Sequence, residues 1–190
     1  MKERIQSIFE ESMAVKKQAL AANLDEIVKA AEAMIAAMRA GHKVLFFGNG
    51  GSAADSQHIA AEFIGRFQKE RQALPAMALT TDSSILTCLS NDYSYDIVFA
   101  RQIEALGQKG DVAFGISTSG NSANVLKGIH AAQERGLVTI TLTGKDGGEL
   151  AKTSDISLIV PSQSTARIQE SHLCIEHTLC ELVEEAMAKS

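Results

Sequence analysis

Apolar residues recur at helical spacing near the start of the chain, at Ile5, Ile8, Phe9 and Met13, and predict an amphipathic helix there. A second helix is predicted behind it. Asn23 would be its N-cap, Ile27, Ala31, Met34, Ile35 and Met38 its apolar positions, and Gly41 lies just past its end. After Gly41 the period changes. Short apolar runs stand at 44–47, 76–79, 112–116, 138–142 and 156–160. They are rich in Val, Ile, Leu and Phe, and most do not alternate with polar residues, as expected of strands buried on both faces of a parallel sheet. The segments between them are long enough for crossover helices, so the pattern predicts an open α/β sheet. A last amphipathic helix is predicted over 165–188, with Ile168, Ile175, Leu179 and Leu182 on one stripe. Pro75 and Pro161 flank strands, where a missing N–H does little harm. No repeat or linker interrupts the pattern, and one domain over 1–190 is predicted.

Composition narrows the function classes. With 190 residues, 45% of them hydrophobic, the chain can bury a core of one-domain size. A net charge of −5 argues against nucleic acid or an acidic membrane as partner, because phosphate backbones attract basic faces. No stretch approaches the ~20 apolar residues of a membrane span. The start, Met1-Lys2-Glu3-Arg4-Ile5-Gln6, mixes charge with apolar residues and lacks a continuous apolar stretch of the secretory kind, which predicts a cytoplasmic chain. Cys88, Cys174 and Cys180 are odd in number, lack a CxxC spacing and are expected to be reduced core thiols.

Two loops carry unusual chemistry. Gly48-Asn49-Gly50-Gly51-Ser52 follows the first predicted strand, and Ser117-Thr118-Ser119-Gly120-Asn121-Ser122 follows the third. Ligands of parallel sheets bind at such positions. Glycines let the backbone approach a ligand, and hydroxyls and free N–H groups at a helix start bind oxyanions. The first loop also matches GxGxxA, but the acidic residue that a dinucleotide site needs about 20 residues on is missing at that distance. Tight turns alone would account for glycines; four hydroxyl residues in six, with one glycine, exceed what a turn requires.

His58 and Glu62, four apart, share one face of the helix that the first loop starts, with Asp55 one turn earlier. Such a pair can ligate a cation or form an ordinary i,i+4 contact. The last helix carries Gln169, Glu170, His172, Glu176 and His177. Gln169, His172 and Glu176 align best, and His177 lies about 80° round from Gln169. Spacing leaves the choice between His172 and His177 open. His42 and His130 read as surface or edge residues, and Asn91-Asp92 as a polar break after an apolar helix.

Together these segments resemble the bacterial phosphoheptose isomerases of the sugar isomerase (SIS) fold. The most specific stretches are Gly48-Asn49-Gly50-Gly51-Ser52 leading to His58 and Glu62, Thr81-Asp82 with Asn91-Asp92, and Gly115 through Val125. Leu142-Thr143-Gly144-Lys145-Asp146-Gly147-Gly148 and Arg167-Ile168-Gln169-Glu170 continuing to His172 and His177 complete the resemblance. It covers nearly the whole chain and departs at 162–166, where some members carry an acidic residue. It implies an open five-stranded parallel sheet flanked by helices, a flavodoxin-like three-layer sandwich, in a homotetramer with active sites at subunit interfaces. It implies one zinc ion per chain on His58, Glu62, Gln169 and His177, and so selects His177 over His172. It implies substrate contacts at Asn49, Gly50, Gly51, Ser52, Glu62, Asn91, Asp92, Ser117, Thr118, Ser119, Ser122 and Gln169. The implied reaction converts sedoheptulose 7-phosphate to D-glycero-D-manno-heptose 7-phosphate, an early step towards the heptose of lipopolysaccharide. Glu62 is then expected as the base and His177 as its acid–base partner. A non-catalytic relative of the same fold binds the bacterial replication initiator and is the alternative; in that class the positions of Glu62 and His177 are not kept.

Overall fold

Strands form where the apolar runs stand. In the computed structural model, which describes residues 1–188, they are β1 (Val44–Gly48), β2 (Ala76–Ala78), β3 (Val112–Ser117), β4 (Val138–Gly144) and β5 (Ile156–Val160). All pair in parallel, in the order β2-β1-β3-β4-β5. β1 and β3 lie at the centre and are buried along their whole length, which explains why their sequences do not alternate. β5, at an edge, does alternate in burial.

Helices cover both faces. α1 (Lys2–Arg39), α2 (Gly51–Ile64) and α7 (Thr165–Ala188) pack with Phe46, Phe114 and Ile140 on one face. On the other, α4 (Val98–Leu106) and α5 (Ala123–Glu134) pack with Leu45, Phe47 and Ala113. The short helices α3 (Ser83–Asp92) and α6 (Gly148–Thr153) and a 3₁₀ turn at Tyr95–Ile97 complete the connections. The chain leaves β1 towards one edge and returns to build β3, β4 and β5 towards the other. The crevice at the carboxyl ends of β1 and β3 is therefore the topological switch point, where such sheets bind ligands. The sheet and its flanking helices are those the resemblance implied.

Four sequence expectations are corrected. The two N-terminal helices are one helix of 38 residues. Asn23 does not cap a helix; it lies inside α1, 3% exposed. Its amide serves the edge strand instead: Nδ2 donates to Ala19 O (2.7 Å) and Ile159 O (2.8 Å), and Oδ1 accepts from Ile159 N–H (2.7 Å). Of the three free thiols only Cys180 is buried, while Cys88 and Cys174 are exposed, because their helix positions face solvent. The predicted α7 stripe also divides: Ile168, Ile175 and Leu179 are buried in the chain's own core, and Leu182 is exposed.

Candidate active site

The first loop turns directly from β1 into α2. Gly50 takes a positive φ of 58°, a conformation that favours glycine. A Cβ on Gly51 would collide with Gln169 Nε2, so the bare backbone lets the α7 glutamine lie over the start of α2. Ser52 is 3% exposed and supports the loop from below, its N–H closing a turn on Asn49 O at 3.0 Å. Asn49 is held by a residue that sequence reasoning missed. Its Nδ2 donates to Asn124 Oδ1 (2.8 Å), and Asn124 Nδ2 donates back to Asn49 Oδ1 (2.9 Å). Tyr95, also missed, donates its hydroxyl to Asn49 Oδ1 at 3.2 Å. Asn124 stood in the sequence within the Gly115–Val125 stretch, yet nothing in its spacing shows a reciprocal amide pair between the first loop and the first turn of α5.

The second loop gathers hydroxyls. Ser117 Oγ lies 2.8 Å from Ser122 Oγ and 3.3 Å from Ser119 Oγ. Ser122 is the N-cap of α5, but its side chain makes no capping bond. A serine there normally satisfies an orphan N–H of the first turn; this one is turned towards Ser117 instead. Thr118 is half-buried beside Ser117, and Thr118 O abuts Gly144. The β4–α6 turn is stitched to this loop, with Leu150 N–H on Gly120 O (3.0 Å) and Glu149 N–H on Asn121 Oδ1 (3.1 Å). A cradle of hydroxyls at a helix start, within a rigid double turn, fits an oxyanion such as phosphate.

The third group lies on the seam of α2 and α7. His58 Nε2 is 3.1 Å from Glu62 Oε1. The His177 ring stands edge-on to His58 at 5.1 Å between centroids and packs against Phe67 at 5.3 Å. His177 Nε2 is buried and makes no hydrogen bond. His172 faces the sheet: it is fully buried, with Nε2 2.9 Å from Thr143 O, and burial lowers its pKa to about 4. Neighbouring Glu176 is 1% exposed, and neither carboxyl oxygen finds a partner. Burial first, and the charge of Asp55 second, push it up to about 8. Burial likewise raises Asp55 itself, against the pull of His58.

The predicted residues do not all meet. Asn91 and Asp92 end α3, exposed, with Asn91 Nδ2 donating to Asp92 Oδ1 at 2.8 Å; among the described residues neither side chain bonds to the two loops. Gln169 lies by Gly51, seven residues before His58 on α2, or roughly 10 Å along that helix.

The SIS domain family matches residues 8–144. The phosphoheptose isomerase of Aquifex aeolicus is 53% identical over 189 residues, covering 100% of this chain and 99% of that protein. The solved phosphoheptose isomerase GmhA of Neisseria gonorrhoeae superposes with a TM-score of 0.91 at 46% identity, covering 97% of this chain and 98% of that one. For the Francisella tularensis phosphoheptose isomerase the TM-score is 0.92 at 39% identity, covering 96% and 97%.

The chain belongs to the phosphoheptose isomerase family.

The zinc that this family resemblance implies can be tested against the side chains. His177 Nε2 is buried without a partner and, unlike the equally unpaired His172 Nδ1, belongs to a ring that stands beside a second imidazole, so it is free to take an ion. His58 and Glu62 adjoin it, and imidazole nitrogen with carboxylate oxygen is a donor set that suits zinc. In the chain alone His58 and Glu62 bond to each other. Among the described residues no three His, Cys, Asp or Glu side chains stand at metal-holding distances. His58, Glu62 and His177 therefore fit by chemistry and neighbourhood, while Gln169 of the same chain lies apart. No described helix of this phosphoheptose isomerase family member is long and apolar enough to cross a membrane.

Proposed function

We propose that the chain is a cytoplasmic aldose–ketose isomerase converting sedoheptulose 7-phosphate to D-glycero-D-manno-heptose 7-phosphate, supplying heptose for lipopolysaccharide. The observation that carries this reading is Ser122: an N-cap serine withdrawn from capping to join Ser117 and Ser119, in a family whose named relatives are phosphoheptose isomerases. The alternative, a scaffold that binds the replication initiator, draws no support from those relatives.

The reaction moves a proton between adjacent carbons through an enediol. The hydroxyls of Ser117, Ser119 and Ser122 and the first turn of α5 bind the phosphate, which fixes the sugar relative to the protein. Asn49, held by Asn124 and Tyr95, presents the first loop to the sugar hydroxyls. Glu62 takes the proton from one carbon and returns it to the next. His58, 3.1 Å from the carboxylate, fixes its orientation. His177 serves the sugar oxygens as the acid–base partner. His58, Glu62 and His177, with the Gln169 amide of a second copy, would hold a zinc ion, which would supply a Lewis acid for the carbonyl.

The test is incubation of the purified protein with sedoheptulose 7-phosphate, the aldose being followed by NMR. Turnover is expected with the phosphorylated sugar and near absence of it with free sedoheptulose. Glu62→Gln is expected to lower kcat by about 10²- to 10⁴-fold. Zinc analysis of the same samples is expected to find the ion in the wild type and less of it in His177→Ala. Equal kcat/KM for the two sugars, or undiminished turnover in Glu62→Gln, would remove the loop or the carboxylate from these roles.

A further inference from the structure

Between α2 and β2 the chain makes a strap over residues 65–75, and α7 grips it at one point. Glu184 accepts three consecutive backbone N–H groups, from Phe67 (2.8 Å), Gln68 (2.7 Å) and Lys69 (2.8 Å). Arg71 lies against the same carboxylate, with Nε 3.3 Å from Oε1, and both side chains are almost wholly buried, at 3% and 2% exposure. The guanidinium also reaches the end of α2. Its Nη2 donates to Glu62 O (2.8 Å), and Nη1 donates to Phe63 O (2.8 Å) and Gly65 O (3.1 Å). These are carbonyls that a helix end leaves without partners. The strap thus has two outputs at the candidate site: the Phe67 ring on His177, and the clamp on the backbone of Glu62.

A buried ion pair is a poor route to stability, since an apolar pair of similar size often does as well. What it provides here is geometry. Glu62 and His177 stand on different helices, and Glu184 with Arg71 ties the end of the first to the flank of the second. We propose that Glu184 and Arg71 are positioning residues for proton transfer, locking the strap so that Phe67 holds the His177 ring in place while Arg71 holds the last turn of α2 bearing Glu62. This rests on the reading of Glu62 and His177 as the proton-transfer pair.

The experiment uses the full-length protein. In metal-free samples the histidine ring resonances are recorded for wild type, Phe67→Leu, Glu184→Gln and Arg71→Lys. Loss of the Phe67 ring current identifies the His177 signal. Glu184→Gln is expected to shift the same signal, while those of His42 and His130, outside this network, stay in place. In zinc-loaded samples Glu184→Gln and Phe67→Leu are expected to lower kcat about 10- to 100-fold with KM within about threefold. Phe67→Tyr, which keeps the ring, is expected to retain most of kcat. A lowered melting temperature with an unmoved His177 signal and normal kcat would reduce the pair to a structural staple and overturn the proposal. Should Glu184→Gln fail to fold, Phe67→Leu decides alone, since it disturbs no buried charge; normal kcat there overturns the proposal. A wild type inactive on the heptulose would instead defeat the functional reading, and the resonance shifts would record that separately.

Discussion

His172 and His177 are five residues apart on α7, and each keeps one buried ring nitrogen without a partner, Nδ1 in His172 and Nε2 in His177; their neighbours differ. His177 Nε2 is buried and free of partners, beside His58. His172 Nε2 lies 2.9 Å from a carbonyl oxygen, which only accepts, so the ring is neutral with its proton on Nε2. Burial holds it neutral: its pKa falls from 6.5 to about 4. That shift has a sign. Above pH 6.5 folded and unfolded chains both carry a neutral ring, and the full stability is present. As the pH falls from 6.5 towards 4 the unfolded chain takes up a proton that the folded chain refuses, and stability is lost. Between pH 6.5 and 5 the loss is about 2 kcal/mol. His172→Phe loses the bond to Thr143 but also loses this proton. Its destabilisation relative to wild type, measured by urea unfolding of metal-free protein, is expected to shrink by about 2 kcal/mol between pH 7 and 5. A constant difference would show that His172 is protonated in the folded state. Glu176 runs the other way: its contribution is present below about 4.5 and is lost as the pH rises to about 8. It is common to both proteins and cancels in the difference. Helical spacing alone left these two histidines undecided because it locates a residue on a helix and is silent on what the neighbouring layer places opposite. The choice of His177 came from the family motif. The network of Asn49, Asn124 and Tyr95 was invisible for the same reason, since its members come from three separate segments.

At the scale of elements, the strands were legible because burial on two faces leaves an unbroken apolar run, and their ends moved by two residues at most. α7 was legible too, at Thr165–Ala188. The long α1 was not. An Asn after an apolar segment has the form of an N-cap, and only the position of β5 shows what this one does. Asn23 pairs with the free edge of β5 much as a further strand would, satisfying both the N–H and the C=O of Ile159. Asn23→Ala makes the competing effects measurable. Alanine gains up to about 0.7 kcal/mol of helix propensity. Leaving the two Ile159 groups without partners costs about 1–3 kcal/mol each. The loss wins, and a lower urea midpoint is expected with helix content unchanged by circular dichroism. A midpoint equal to or above that of wild type would show that the amide contributes nothing to holding β5.

At the scale of the molecule, α1 leaves an apolar surface without cover. Phe9 is 66% exposed, Met13 61% and Leu24 58%, and Leu20 and Val28 continue the stripe. A groove of about 580 Å³ runs between α1 and α7, lined in part by Leu20, Leu24, Ile175 and Leu182. Exposed apolar surface carries a penalty of roughly 25 cal/mol per Å². Burial against other copies in a closed symmetric assembly removes it. The geometry of the candidate zinc ligands points the same way. Gln169 precedes His177 by eight residues, roughly 12 Å along α7, and α-helical side chains lean towards the N-terminus. Its amide lies over Gly51, on the far side from His177. A glutamine side chain does not span that distance, so a ligand set that includes Gln169 needs it from a second copy. We therefore expect a homotetramer, the number four resting on the family resemblance, with each site shared between chains. Phe9→Lys with Leu24→Lys is expected to dissociate it in light scattering and to abolish turnover. Gln169→Ala and His177→Ala are each expected to be inactive alone. Co-expressed, they are expected to regain activity, because mixed assemblies contain sites with neither defect. Continued inactivity of the mixed assemblies would place the whole site within one chain, and a fully active monomer would defeat the shared site and the assembly together.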